Sequence, residues 1–357
     1  MFVALRDLRA ARGRFSLITL VVTLVAVLVS FLSGLTAGLA HQNVSAVRSL
    51  PGGTVVFADT GGDPSFDGSA LTEDQIATWR AAASEVTPIG IARGEAIHDG
   101  SAPAQIALFG TGSPTQVAPS GKDSGNRWAT EAGTVVLSTG AAADLAAAPG
   151  DSVAVGGRYF TVAAVRGDDW YSHTPVVWTT LADWQALNPR SGAATVLAVS
   201  GAADRNAVNA TAHTRTTDLS GARSAIASYQ AENGSLTLLT VLLFVISALV
   251  IGSFFTVWTI QRMPDIATLK ALGATSGSLV RDALVQAATV LAVGIATGLG
   301  ITVAAAALLG DAVPFVLTPA TTLLPSAALI LLGLLGAAFA LRFLFTADPL
   351  TALGAGR

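Results

Sequence analysis

Cysteine is absent from this 357-residue chain. That excludes disulfide frameworks, thiolate metal sites, a cysteine nucleophile and an acylated lipoprotein cysteine. Charge is scarce: Asp, Glu, Lys and Arg make up 12% of residues, about half of the ~25% usual in soluble domains. The net charge is −3, which argues against nucleic acid as a partner. No Gly-x-x-x-x-Gly-Lys-Ser/Thr loop occurs, so the chain lacks that nucleotide-binding motif. His-Glu-x-x-His and a Ser/His/Asp arrangement are missing as well, so no catalytic residues are assigned. Histidine and tyrosine are rare, with four and three copies. What is abundant is apolar: 52% of residues are hydrophobic and the mean hydropathy is +0.60. A soluble globule of this size could not bury so much.

The gaps between charges draw the topology. Residues 15–40, 233–261, 283–310 and 312–341 hold no charged side chain. A membrane span needs about 20 apolar residues, and in lipid it must be helical to pair its own backbone. The expected spans are 15–40, 233–261, 283–308 and 325–345, the last with Pro325 in its first turn. The first is too long for the ~7–15-residue core of a signal peptide and reads as a retained anchor. No charge lies inside the spans apart from Arg342 at the end of the fourth, which disfavours an ion-coupled carrier. Residues 1–14 carry Arg6, Arg9, Arg12 and Arg14 against Asp7, and 262–282 carry Arg262, Lys270 and Arg281. Residues 41–232 hold 18 acidic against 11 basic side chains. Basic segments stay inside. Both termini (1–14 and 346–357) and 262–282 are therefore expected in the cytoplasm of a cell-membrane protein. Residues 41–232 and 309–324 are expected outside.

The large insert reads as an α+β domain. Thr72 and Gln75 have capping-box spacing for a helix. Asp151 to Val165 alternates around Gly156-Gly157, a hairpin signature. Val135–Ser138, Pro175–Thr179 and Thr195–Ser200 read as short strands and Ala182–Leu187 as a short helix. Residues 60–68 and 113–126 read as loop. Residues 1–14 form an amphipathic pattern, Leu5, Leu8 and Ala11 alternating with the arginines, suited to a helix on the membrane surface.

Residues 259–275, TIQRMPDIATLKALGAT, place Ile266, Leu269 and Leu272 on one helical face. That face suits a hydrophobic groove on a partner, or the membrane surface. The segment resembles the cytoplasmic coupling segment of FtsX/MacB-like ABC transporter permeases. The carriers are Arg262, Asp265, Ile266, Leu269, Lys270, Ala271, Leu272, Gly273 and Ala274. Pro264-Asp265 stands where that family usually has Glu or Gln. The order of one span, a large insert and three spans is similar too, as is the ending Asp348-Pro349-Leu350-Thr351-Ala352-Leu353. The resemblance implies a permease subunit that is not itself an enzyme. A separate ABC ATPase, two copies binding ATP and Mg, would dock at 259–282, and the permease would pair with itself as a homodimer. Residues 229–255 and 170–178 narrow the resemblance to haem-exporter permeases of Gram-positive bacteria.

Haem would then be cargo, and no cofactor of the chain's own is expected. Haem iron accepts His nitrogen or Tyr phenolate. His41, Tyr171 and Tyr229 are the candidate ligands, with Glu232 and His173 second. His41, Tyr229 and Glu232 flank the outer ends of the first two spans, Tyr171 and His173 lie in the segment that carries the resemblance, and the site is expected at those outer ends. Interfacial anchoring is the ordinary role for such residues. Gly34 and Gly38, spaced for close helix approach, are expected to leave room for the ligand, and Gly294 and Gly298 form a similar pair. Two other functions fit the layout. One is export of a different amphiphile, such as a lipid, lipopeptide or antimicrobial peptide. The other is relay of ATP hydrolysis to a cell-wall partner outside.

Overall fold

The computed structural model describes residues 12–112, 131–189, 191–202, 204–261, 263–310 and 313–341. The amphipathic segment up to residue 11, the expected loop 113–126, Arg262 and the tail 346–357 lie outside these residues. The chain divides into two units, residues 1–38 with 235–357, and residues 39–234.

The first unit holds four helices long and apolar enough to cross a membrane, among the described residues. They are Arg12–Arg48, Ala227–Gln261, Ser276–Leu309 and Pro319–Ala340, the first two running on into the second unit. The first extends past residue 40 because nothing stops it before Pro51, which disfavours helix in the residue it follows. The second starts ahead of Asn233-Gly234, which it contains. The fourth starts earlier than the sequence suggested. Thr318 caps it in a capping box with Thr321, and Pro319 takes the proline-tolerant first turn. Pro325 is therefore inside the helix, not in its first turn.

The helices share a core of Phe15, Ile18, Val22, Ala26 and Val29 with Ile251, Phe255, Leu291, Ile295 and Leu329. Gly294 and Gly298 seat the third helix on the first. A Cβ on Gly294 would come 2.7 Å from Val22 Cγ1, and one on Gly298 2.6 Å from the Ala26 Cβ. Two buried hydroxyls of the second helix are satisfied within it, which suits lipid: Ser247 donates to the Leu243 carbonyl at 2.6 Å and Thr259 to that of Phe255 at 2.8 Å. On the second helix Leu238, Leu242, Val245 and Leu249 are exposed.

The second unit is an α/β domain on one mixed sheet. Its strands are β1 (Thr54–Ala58), β2 (Glu85–His98), β3 (Ala104–Thr111), β4 (Thr134–Leu137), β5 (Ser152–Val155), β6 (Arg158–Val165), β7 (Trp170–Tyr171), β8 (Thr174–Thr180), β9 (Val196–Ser200) and β10 (Thr214–Asp218). The order is β10-β1-β9-β2-β3-β8-β4-β6-β5. β5 also pairs with β2, Ala96 opposite Val155, so six strands close on themselves. Inside lie Ile106, Leu108, Leu137, Val153, Phe160 and Trp184. Gly90 and Gly110 admit the Trp184 ring, where a side chain would overlap it. Gly156 and Gly157, φ 56° and 79°, turn the expected β5–β6 hairpin.

In the open wing β1 and β9 are buried on both faces, so they read as apolar runs, while the edge strand β10 is polar. Val55, Phe57, Val196 and Ala198 face one core. Val56, Leu197 and Val199 face another, under the helix Glu73–Ala82 with its Thr72–Gln75 capping box. The first of these cores also contains Val44 and Val47 from the end of the first long helix, Leu50 just past it, and Ala225 and Ile226, with Tyr229 packed against it.

Candidate functional site

Three short segments of the inserted domain meet: His41–Ser45 on the first long helix, Asp168–Thr174 around β7, and Ser228–Glu232 on the second long helix. Ser172 and His173 form the two-residue turn of the β7–β8 hairpin, with φ 51° and 63°. Both lie in the left-handed region, where such turns usually hold Asn or Gly. A side chain there costs conformational energy. The turn is fixed from outside: the Ser172 and His173 amides donate to the carbonyls of Asn43 and Gln42, each at 3.0 Å.

At this turn His173 Nε2 lies 2.9 Å from Glu232 Oε1, and Asn43 Nδ2 donates to Glu232 Oε2 at 3.0 Å. Asn43 is buried, 1% exposed. His173 Nε2 and Asn43 Nδ2 are also 2.9 Å apart. Both face the carboxylate, so both act as donors to it and the nitrogen pair is a proximity. The second Asn43 amide hydrogen goes to the Leu39 carbonyl at 3.4 Å. His41 makes a separate pair. Its Nε2 is 3.0 Å from Asp168 Oδ2 and 2.9 Å from the Asp168 carbonyl. Trp170 Nε1 donates to Asp168 Oδ1 at 2.6 Å.

The structure thus joins His173 to Glu232 and gives His41 its own carboxylate. It treats the tyrosines differently. Tyr229 is half-buried against the domain core. Tyr171 is 1% exposed, with Phe66 and Phe109 edge-on at 5.9 and 5.5 Å. Burial, helped by Asp67 and only partly opposed by Arg93, pushes its phenol well above the ordinary tyrosine range. Tyr171 is therefore a core residue, unsuited to serve as a phenolate ligand. The room expected at Gly34 and Gly38 is also filled. A side chain at Gly34 would overlap the Phe315 ring, and one at Gly38 the Pro314 carbonyl. The Val316 amide donates to the Gly34 carbonyl at 3.2 Å.

Asn43, Asp168, Ser172 and Ser228 were not singled out from the sequence. The polar run His41-Gln42-Asn43, directly after a charge-free span, was the one signal that could have marked Asn43.

The coupling segment forms the helix Met263–Ala271. Gly273 at φ 96° ends it, and the Ala274 amide caps the Leu269 carbonyl at 2.9 Å. Its expected apolar face is divided. Ile266 is buried with Leu341, Leu279 and Val280, while Leu269 and Leu272 are 40% and 79% exposed. Asp265 lies in the helix, as does Lys270 in its last turn.

The fold is thus that of a membrane protein, four apolar helices with an α/β domain inserted between the first two. Residues 237–349 match the family described as FtsX-like permease C-terminal. Along its whole length it is similar to chains with the provisional name hemin transport system permease protein HrtB. One, from Staphylococcus haemolyticus, is 25% identical over 357 residues, covering 99% of both chains. Another, from Staphylococcus epidermidis, is 25% identical over 361 residues, covering both completely. Two solved structures also align. The periplasmic region of MacB from Actinobacillus actinomycetemcomitans has a TM-score of 0.35 and 14% identity, over 52% of this chain and 97% of that one. The extracellular domain of the ABC-type transporter YknZ from Gram-positive bacteria has a TM-score of 0.32 and 16% identity, over 46% and 98%.

Proposed function

We propose that the chain is the membrane subunit of an ATP-driven haem exporter, a homodimer served by two copies of an ABC ATPase. Both termini lie in the cytoplasm in this reading, on the placement of Lys and Arg, and the inserted domain lies outside. The observation that carries it is that His41, Tyr229 and Glu232 lie on the ends of the two long helices, with His173 on the β7–β8 turn bonded to Glu232, in a chain otherwise poor in His and Tyr. The full-length relatives named for hemin transport support the choice of cargo.

Haem is apolar with two carboxylates and partitions into the bilayer, so capture from the outer leaflet needs iron ligands near the lipid boundary. Tyr229 and Glu232 offer oxygen. His41 and His173 each commit Nε2 to a carboxylate, which leaves Nδ1. The exposed Leu269 and Leu272 form the surface for the ATPase, and the exposed apolar stripe of the second helix faces lipid or the second copy.

Haemin titration of the purified protein tests the cargo. A saturable Soret shift is expected, weakened in Tyr229→Phe and His41→Ala and further in the double variant. Wild-type spectra and normal haemin resistance in all three would place the site elsewhere or the cargo outside haem. Mass measurement of the detergent-extracted complex tests the stoichiometry, and a stable 1:1 assembly with full ATPase activity would contradict it.

A further inference from the structure

Glu232 is the end of a hydrogen-bond chain whose direction can be deduced. As an acceptor-only carboxylate it requires the amide nitrogen of Asn43 on its side, so Asn43 Oδ1 faces the other way. There Ser228 Oγ donates to Asn43 Oδ1 at 2.7 Å. With its single hydrogen committed, Ser228 must accept in its 2.8 Å contact with Ser172 Oγ, so Ser172 donates. Ser172 Oγ in turn accepts from Arg93 Nη2 at 3.2 Å. Every link points the same way, from the Arg93 guanidinium through Ser172, Ser228 and Asn43 to the Glu232 carboxylate. A cation heads the chain and an anion closes it, the arrangement in which successive hydrogen bonds polarise one another.

We propose that Arg93, on β2 and remote in sequence from the other site residues, is a positioning residue for Glu232. It acts through Ser172, Ser228 and Asn43 without touching the carboxylate. This explains why the β7–β8 turn holds Ser172 at a left-handed position where glycine would be less costly: glycine has no hydroxyl to pass the chain on. The Arg93 guanidinium lies 5.8 Å from the Tyr171 ring centroid and 3.7 Å from Asp67 Oδ1. Tyr171 supports it, and the Asp67 contact is too long for a hydrogen bond. The role of Glu232 as a haem contact rests on the proposed function; its positioning by Arg93 does not.

The test is a double-mutant cycle on the full chain in detergent, read by thermal melting. The variants are Arg93→Gln, Glu232→Gln and the pair, repeated in a Ser228→Ala background. Residues without shared contact normally give additive effects. The expected result is that the pair melts no lower than the worse single variant, and that the effects become additive once Ser228 is removed. Additive melts in the native background would overturn the chain. Haemin titration of Arg93→Gln and Arg93→Lys then reads the site. A several-fold weaker affinity for the first, partly restored by the second, is expected. Coupled melts with unchanged haemin affinity in Arg93→Gln would overturn the site role of Glu232. Coupled melts with no wild-type Soret shift would sink the haem reading and leave the positioning intact.

Discussion

His41 Nε2 is held by both the side chain and the main chain of Asp168, at 3.0 and 2.9 Å. One residue thus fixes the imidazole and, through Trp170 Nε1, the indole that packs over Gly140. Asp168→Ala leaves both donors without their side-chain acceptor. Because the pair is partly exposed, the expected loss is only about 1 kcal/mol, read as a lower melting temperature, with Asp168→Asn milder. No change in either variant would mean that the contacts contribute nothing measurable.

The inserted domain does not end where its charge does. Its core includes Val44 and packs against Tyr229, and Asn43 and Glu232 close its polar network. A fragment of residues 39–234 is expected to melt cooperatively. A fragment of residues 45–228 lacks these groups, and a broad, protease-sensitive transition is expected. Equal melts for the two would show that the helix ends are dispensable.

At the coupling helix, buried and exposed leucine-type positions should separate. Leu272→Asp and Leu269→Asp alter exposed side chains, so the protein should extract normally while ATPase co-purification and coupled hydrolysis fall together. Ile266→Asp places a carboxylate among Leu341, Leu279 and Val280, so the yield of folded protein should itself drop. Undiminished co-purification of the Leu269/Leu272 double variant would remove this surface from the interface.

Asp218 caps the helix Leu219–Ser224. Bonds from the Ser220 hydroxyl and the Gly221 amide hold its carboxyl below the usual range. A depressed folded value stabilises the protein above the unfolded pKa of ~3.9, and the contribution disappears as pH falls through the folded value. Asp218→Ala should therefore melt lower than wild type near neutral pH, and the two curves should converge in strong acid. A constant difference across that range would exclude ionisation as the cause.

Gly294→Val would drive a branched side chain into Val22 and the Thr19 carbonyl. Overpacking of this kind typically costs about 1–3 kcal/mol. Reduced thermal stability in detergent is expected, and an unchanged melt would mean that the first and third helices shift apart freely.

The fold was readable wherever local chemistry decides it. The capping box at Thr72, the Gly156-Gly157 hairpin and the four apolar helices depend on neighbours in sequence. Helix ends were misplaced because charge marks where lipid stops, and a helix stops at Pro51 or starts at Ala227 for backbone reasons. β2, the longest strand, went unread because Pro88, Gly90 and Gly94 interrupt it; Gly90 is there for Trp184, from a distant helix. The site was half legible. Rarity pointed to His41, His173 and Tyr229, and Glu232 followed from Tyr229 as its neighbour one helical turn on, but rarity cannot tell Tyr171 in a core from Tyr229 at its margin. Asn43, Ser172, Ser228 and Asp168 are common residue types whose meaning arises only from long-range pairing.

The position of β1 sets a timetable for synthesis. β1 pairs with β9 on one side and with β10 on the other, Thr54 opposite Val199 and Asp218. Neither partner exists when Val55-Val56-Phe57 leaves the ribosome. At ~5–20 residues per second, roughly 8–30 s pass before residue 218 is made. Until then an apolar strand with both edges open, and after β9 is made with one, follows the first anchor, a template for wrong pairing. Its protection must come from outside the chain or from collapse onto the nearby Val44–Leu50 helix end, which makes this early segment the point where assembly is most easily lost.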